Sequence, residues 1–374
     1  MDSKVQDPLN EKPPGHNSWL SLGSAAYDFR GDVRTSPTAA MLEAVTYASL
    51  LDDLDRSDPS TKKLEAYLAS LTGHEAGLWV VSGTMGNIVS LRSLLVQPPY
   101  SILCDERAHC LNNEAGGAFA FTGAVPQPVH PANDKYITLE DILPHIKLGH
   151  GEKVHACPTR VISLENTLRG MVMPLEETRR ICDFAHANGI RVHLDGARLW
   201  EAVASGEGSL IEYCALFDTI TMCFSKGLGA PAGAIVVGSE GAVRRARWIR
   251  QSIGGSIRQP GLLAEAAYVA VRDTFEGNQL IRTHHIAAKI AQHWVSCGGK
   301  LKYPTETNMI WLDFEQQPFG LDDLIKVGRE RGIFIHRDRL VIHYQISDEA
   351  VQILLGVITR LTKHDADILD IAVS

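Results

Sequence analysis

Three short stretches of this 374-residue chain end in residue types that can do chemistry together. In "TMCFSKGLGAPAGAIVVGS" (221–239), Lys226 is the one cation between an apolar β-like run and a loop of glycine, alanine and proline. An amine buried against glycines has a lowered pKa and can form a Schiff base with a carbonyl. In "IRVHLDGARLWEA" (190–202), Asp195 closes another apolar run, thirty-one residues before Lys226. A carboxylate there can cap the following helix, or it can keep a nearby ring nitrogen protonated. In "GLWVVSGTMGN" (77–87), Ser82-Gly83-Thr84 turns a strand into a helix. The exposed N–H groups and two hydroxyls suit a phosphate, while a serine at that place also serves as a plain N-cap. An imine-forming lysine, an acid for a ring nitrogen and a phosphate cradle are together what pyridoxal 5′-phosphate requires.

Such residues need a scaffold that brings several strand ends to one edge. Apolar, β-branched runs predict strands at 77–81, 100–105, 159–165, 190–195, 218–225 and 232–239. Helical periodicity falls at 38–51, 60–73, 86–96, 139–148 and 174–189. The alternation predicts an α/β fold, a mostly parallel sheet covered by helices, with ligands beyond the carboxyl ends of the strands. After a long helical region from 258, strands at 308–314 and 338–347 and a last helix suggest a smaller α/β unit. The expected organisation is an N-terminal arm 1–27, a large cofactor-binding domain 28–261 and a small C-terminal domain 262–374.

Composition narrows the partners. A hydrophobic fraction of 45%, a charged fraction of 21% and a net charge of −8 describe a globular protein that binds neither nucleic acid nor an anionic membrane. The basic run "VRRARWIR" (243–250) reads as a solvated helix face. No secretory signal or apolar run long enough to span a bilayer is readable. The seven cysteines form no CxxC pair, so reduced thiols in a cytoplasmic protein are expected. His284, His285 and His293 lack zinc-motif spacing, and no metal is expected.

In order along the chain, "LENT", "HLDGARLW", "SKGLGAPAG" and "GGSIRQPG" resemble the threonine aldolases, which are fold-type I (aspartate aminotransferase-like) pyridoxal-phosphate enzymes. The likeness runs from about Phe29 to Ile346 and is nearest to fungal members through "QPPYSILCDERAH" and "ISLENTLRGMVMPLEE". It implies that Lys226 carries the Schiff base and that Asp195 pairs with the pyridine nitrogen. It also implies that His109 stacks on the ring and that His155 lies near the substrate side chain. Gly83 and Thr84, beside Ser82, match the phosphate loop. Arg198, helped by Arg339, matches the grip on the substrate carboxylate, and Arg258 would lie near a phosphate, that of a neighbouring subunit included. At least a homodimer is implied, with homotetramers usual and sites built from two subunits.

The implied reaction is cleavage of a β-hydroxy amino acid to glycine and an aldehyde. Two segments depart from the aldolase pattern. "FRGDV" puts Gly31 where a serine is usual, and "LLDDLDRSD" puts Asp55 and Ser57 in place of a tyrosine and a glutamate. Both segments are expected to border the substrate. Certain fungal relatives racemise alanine for peptide natural products, a second reading in which Lys226 serves one face of Cα and His109, His155 or Asp55 the other. Retention of Lys226, Asp195, His109 and Arg198 together argues against a non-catalytic scaffold.

Overall fold

The computed structural model describes residues 19, 21–149 and 154–363. Most of the expected arm, 1–18 and 20, lies outside the described residues.

Seven strands form the larger sheet: β1 (Ala76–Val80), β2 (Ser101–Asp105), β3 (Val125–Val129), β4 (Thr159–Glu165), β5 (Arg191–Asp195), β6 (Thr219–Cys223) and β7 (Ala234–Gly238), in the order β1-β7-β6-β5-β4-β2-β3. The central strands are buried on both faces, which explains why they read as continuous apolar runs rather than alternating ones. Residues 224–233 are too few for a helical crossover, so β7 turns back antiparallel to β6. β1 pairs antiparallel with β7 and therefore points the same way as β6. The carboxyl ends of β1, β2, β4, β5 and β6 thus share one edge.

β3 was not expected. Its sequence, VPQPV, carries two prolines, which only an edge position tolerates, and there it pairs with β2 alone. The expected helix 139–148 ends early: Leu139–Ile142 is α-helical, and a 3-10 turn follows over Leu143–His145, where Pro144 supplies no N–H.

The basic run lies on the helix Glu240–Ser252 but is not simply a solvated face. Arg244 and Arg245 face outward, whereas Arg250 is 1% exposed, donating to Asp53 Oδ2 at 2.9 Å and to the Trp79 carbonyl at 2.6 Å. Arg247 donates to Glu65 Oε2 at 2.6 Å. Alanine at Asp53 would leave the Arg250 guanidinium buried without its carboxylate, at a cost of about 3–5 kcal/mol. The midpoint of urea unfolding should fall accordingly, and an unchanged midpoint would mean that Arg250 finds another anion.

A second, antiparallel sheet has the order β10-β9-β8, from β8 (Lys300–Leu301), β9 (Met309–Asp313) and β10 (Arg339–Val341). Its core gathers Trp294, Ile310, Leu312, Leu340 and Leu354. The helix Gly261–Ala270 buries Ala264, Ala267 and Val269 in the core of the larger sheet, because its alanine-rich face packs closely on the helices Ala39–Thr46 and Pro59–Thr72. Phe29, early in the chain, joins the smaller core instead: its N–H donates to the Phe334 carbonyl and its carbonyl accepts from Val341 N, each at 2.9 Å. All seven cysteines are free thiols. Among the described residues no helix is long and apolar enough to cross a membrane.

Candidate active site

Five strand ends place the chemistry. After β6, the chain folds tightly through Phe224 and Gly233, whose backbones pair at 3.0 Å, and the Lys226 carbonyl accepts from Gly229 N at 2.9 Å. Gly229 has φ +85°, and a Cβ there would strike the Tyr344 hydroxyl. The Thr35 hydroxyl also donates to the Lys226 carbonyl, at 2.9 Å, tying the segment after Gly31 to this loop. With its backbone so held, Lys226 is half-buried, and its Nζ makes no hydrogen bond or ion pair among the described residues.

Asp195 ends β5 opposite Glu165, which ends β4 in the same register. Asp195 Oδ1 accepts from Ala197 N at 3.0 Å, and Oδ2 accepts from Asn87 Nδ2 at 2.7 Å. The second Asn87 amide proton goes to Glu114 Oε1 at 2.8 Å. Two carboxylate acceptors settle the orientation of this amide, so Asn87 Oδ1 faces His193 Nε2 at 3.1 Å as an acceptor. Burial lowers His193 to about 4. The neutral ring then carries its proton on Nε2, and Nδ1 accepts from the Thr219 hydroxyl at 3.0 Å.

His109 follows β2. Its Nδ1 lies 2.9 Å from Glu114 Oε1, and its backbone N donates to Glu165 Oε2 at 2.8 Å. The hydrogen bond to Glu114, with the Asp195 charge behind it, raises the imidazole above its ordinary range. Burial and the Asp195 charge push Glu165 up to about 8. His109, Glu114 and Asp195 bring ligand-type atoms within 4.8 Å of one another, and the Asn87 amide joins the two carboxylates as a hydrogen-bonded network.

After β1, Ser82 caps the helix Gly83–Leu94 by accepting from Met85 N at 3.1 Å. Gly83 must be glycine, since a Cβ would sit 2.6 Å from Cys223 Sγ at the end of β6. The close approach brings the first N–H groups of this helix, at Gly83 and Thr84, to the same edge as Lys226.

Arg198 is locked by Asp32: Nε and Nη2 donate to the two carboxylate oxygens at 2.6 and 2.7 Å. Burial alone would raise Asp32, but Arg198, with Lys226 and Arg339 beyond it, holds the carboxyl at about 2. Arg198, Arg339, His109 and Glu165 all line one cavity of about 440 Å³. Gly31, beside Asp32, is extended at φ 173°, and a Cβ would meet Val33 Cγ2 and N at an ordinary 3.6 and 4.0 Å.

Three expected residues do not line this cavity within the chain. His155 is exposed in the turn before β4, with its neighbours Val154 and Ala156 beside Arg191 at the start of β5. A seven-residue strand separates it from Glu165, roughly 20 Å or more. Asp55 is exposed and accepts from Ser57 N at 2.9 Å in the loop between two helices. Arg258 is also exposed, its carbonyl accepting from Asp53 N at 2.8 Å. Conversely, Asn87, Glu114, Glu165 and Asp32 were missed. Glu165 carried the signal that singled out Asp195, a carboxylate closing an apolar run. Asn87 and Glu114 lie in a helix and a loop with nothing local to distinguish them.

The residues fit pyridoxal phosphate: a half-buried amine and a helix start whose first N–H groups have no partner among the described residues, and a carboxylate with lone pairs left for a ring N–H. Fold and site thus define a fold-type I pyridoxal-phosphate enzyme. The chain belongs to the beta-eliminating lyase family, whose model matches residues 28–317. It is 50% identical over 349 residues to "Aldolase vrtJ" of Penicillium aethiopicum, covering 93% of this chain and 89% of that protein. It is 42% identical to "Alanine racemase TOXG" of Cochliobolus carbonum, covering 93% and 90%. It is also 42% identical to "Low-specificity L-threonine aldolase" of Eremothecium gossypii, covering 88% and 86%. The solved Leishmania major threonine aldolase shares the fold, with a TM-score of 0.75 at 19% identity over 90% of this chain and 99% of that one.

Proposed function

We propose that this lyase is a threonine aldolase of low specificity, cleaving threonine, allo-threonine and related β-hydroxy amino acids to glycine and an aldehyde. The observation that carries the reading is the Lys226 amine, without a partner among the described residues, at the edge where β5 presents Asp195 and β1 presents a helix start. Lys226 would hold the cofactor covalently, Asp195 would face its ring nitrogen, His109 its ring, and Ser82, Gly83 and Thr84 its phosphate. Bound there, the cofactor supplies an electron sink for the bond broken at Cα. Arg339 orients the substrate carboxylate, helped by Arg198 through Nη1, since its Nε and Nη2 are held by Asp32. His109 is the candidate within this chain to take the β-hydroxyl proton, and Glu165, pushed up by burial, stands beside it on the cavity wall.

His155, Asp55 and Arg258 lie away from this cavity, so the roles assigned to them require a neighbouring subunit. A homodimer or homotetramer with shared sites is accordingly part of the reading, as is a cytoplasmic location. A second reading, alanine racemase, is favoured by the 42% identity to a protein of that name. Incubation of the purified protein with L-allo-threonine and L-threonine should release glycine, while L-alanine should stay enantiopure. D-alanine without glycine would reverse the choice. Gly31→Ser has room for its Cβ, and combined with Asp55→Tyr it should raise kcat/KM for cleavage by about threefold to tenfold through an added carboxylate hydrogen bond. Unchanged cleavage would remove these positions from the explanation of substrate choice.

A further inference from the structure

The cavity that holds His109 and Glu165 carries more positive charge than an amino acid's α-carboxylate needs. Five arginines line it: 107, 169, 198, 337 and 339. Two are neutralised, Arg198 by Asp32 and Arg107 by Asp105 at 2.8 Å. The other three have no carboxylate within ion-pair distance among the described residues. Of the two glutamates in the lining, Glu106 is engaged with His130 at 2.6 Å, and burial and the Asp195 charge disfavour the ionised form of Glu165.

Two of the three free guanidiniums are built into one wall. Arg169 donates from Nη1 to the Tyr303 hydroxyl at 2.8 Å, and its carbonyl accepts from Trp311 Nε1 at 2.9 Å. Tyr303 and Trp311 meet edge to face at 5.5 Å. The Arg339 guanidinium lies 5.7 Å from the Trp311 ring centroid, and its buried Nε has no hydrogen-bond partner. Arg337 is exposed beside them, Nε donating to His336 Nε2 at 3.3 Å. Burial and the nearby Arg198 charge lower the Arg339 pKa, as expected of like charges awaiting an anion.

The geometry points to a second anion subsite, formed by Arg169 and Arg337, that takes a carboxylate on the substrate's side chain. The preferred substrates are then acidic β-hydroxy amino acids of the 3-hydroxyaspartate class. The inference rests on the aldolase reading for its reaction, though not for its binding step. Cleavage of 3-hydroxyaspartate is redox-neutral. The β-hydroxyl gives up its proton, the Cα–Cβ bond breaks, Cα takes a proton, and the products are glycine and glyoxylate.

The test compares 3-hydroxyaspartate with L-allo-threonine on the holoenzyme and on Arg169→Gln, Arg337→Gln and the double variant. Wild type should favour the acidic substrate in kcat/KM by about tenfold or more, the scale of a charged contact at a rim. The double variant should bring that ratio near one and leave allo-threonine cleavage within about twofold. A wild-type ratio of one or less, or an equal loss on both substrates, overturns the subsite. Calorimetry on the cofactor-free protein gives a readout independent of turnover. Succinate should bind about tenfold tighter than butyrate, and the double variant should erase the difference. Equal binding of the two acids overturns the subsite even if neither amino acid is cleaved, while absence of any cleavage with succinate preferred overturns the aldolase reading alone.

Discussion

Lys226→Ala should yield a folded protein that no longer absorbs near the visible edge as a covalently bound cofactor does. Its cleavage activity should fall by roughly 10³-fold or more, the scale seen when a covalent catalytic group is removed. The expectation follows from how the residue is held. Its backbone carbonyl is fixed by Gly229 N and the Thr35 hydroxyl, while its Nζ has no partner among the described residues. Removing the side chain breaks no ion pair, so the change in stability should stay within about 0.5 kcal/mol. Lys226→Arg separates charge from chemistry: it keeps a cation at this edge and cannot form the imine. Retention of the absorption band in either variant would mean that another amine holds the cofactor.

Asp195→Asn should be the other severe change. A neutral amide keeps one acceptor oxygen where the carboxylate has two, so it can accept from Ala197 N or from Asn87 Nδ2 but not from both, and it supplies no anion to a ring nitrogen. The loss in kcat should reach on the order of 10²–10³-fold, as for other groups that stabilise charge in a site closed to water. The cofactor-free protein offers an independent check. The His109 pKa is raised first by its hydrogen bond to Glu114 and then by the Asp195 charge, so the substitution should move it down. Titration of the imidazole by NMR measures this directly. An unchanged value would show that Asn87 and Glu114 screen His109 from Asp195 completely.

The asymmetry between these residues reflects how each was legible. Lys226, Asp195 and Ser82-Gly83-Thr84 stand at the ends of apolar runs, and a parallel sheet collects such ends at one edge whatever the strand order. Arg198 follows Asp195 by three positions and is carried along. His155 has an equally suggestive sequence context, but it precedes its strand, and a strand has two ends. Within one chain the sheet therefore sends His155 to the far edge from Glu165. Arg250 misled in the other direction, since an arginine on a basic helix reads as solvated until Asp53, nearly two hundred residues away in the chain, is seen to bury it.

From the sequence by itself came the α/β class, the mostly parallel sheet and the cofactor, and with them the proposal that Lys226, Asp195 and Ser82-Gly83-Thr84 hold it. All of these follow from local periodicity and from residue types at strand ends, which depend on near neighbours. Only the tertiary structure decided that β3 closes the sheet at an edge, that Phe29 belongs to the C-terminal core, that Asn87 ties Glu114 to Asp195, and that Asp32 occupies Arg198. The wall of Arg169, Tyr303, Trp311 and Arg339 is of the same kind. Contacts of this sort are made between residues far apart in the chain, and their partners are chosen by shape and by the satisfaction of buried charge, which no local pattern encodes.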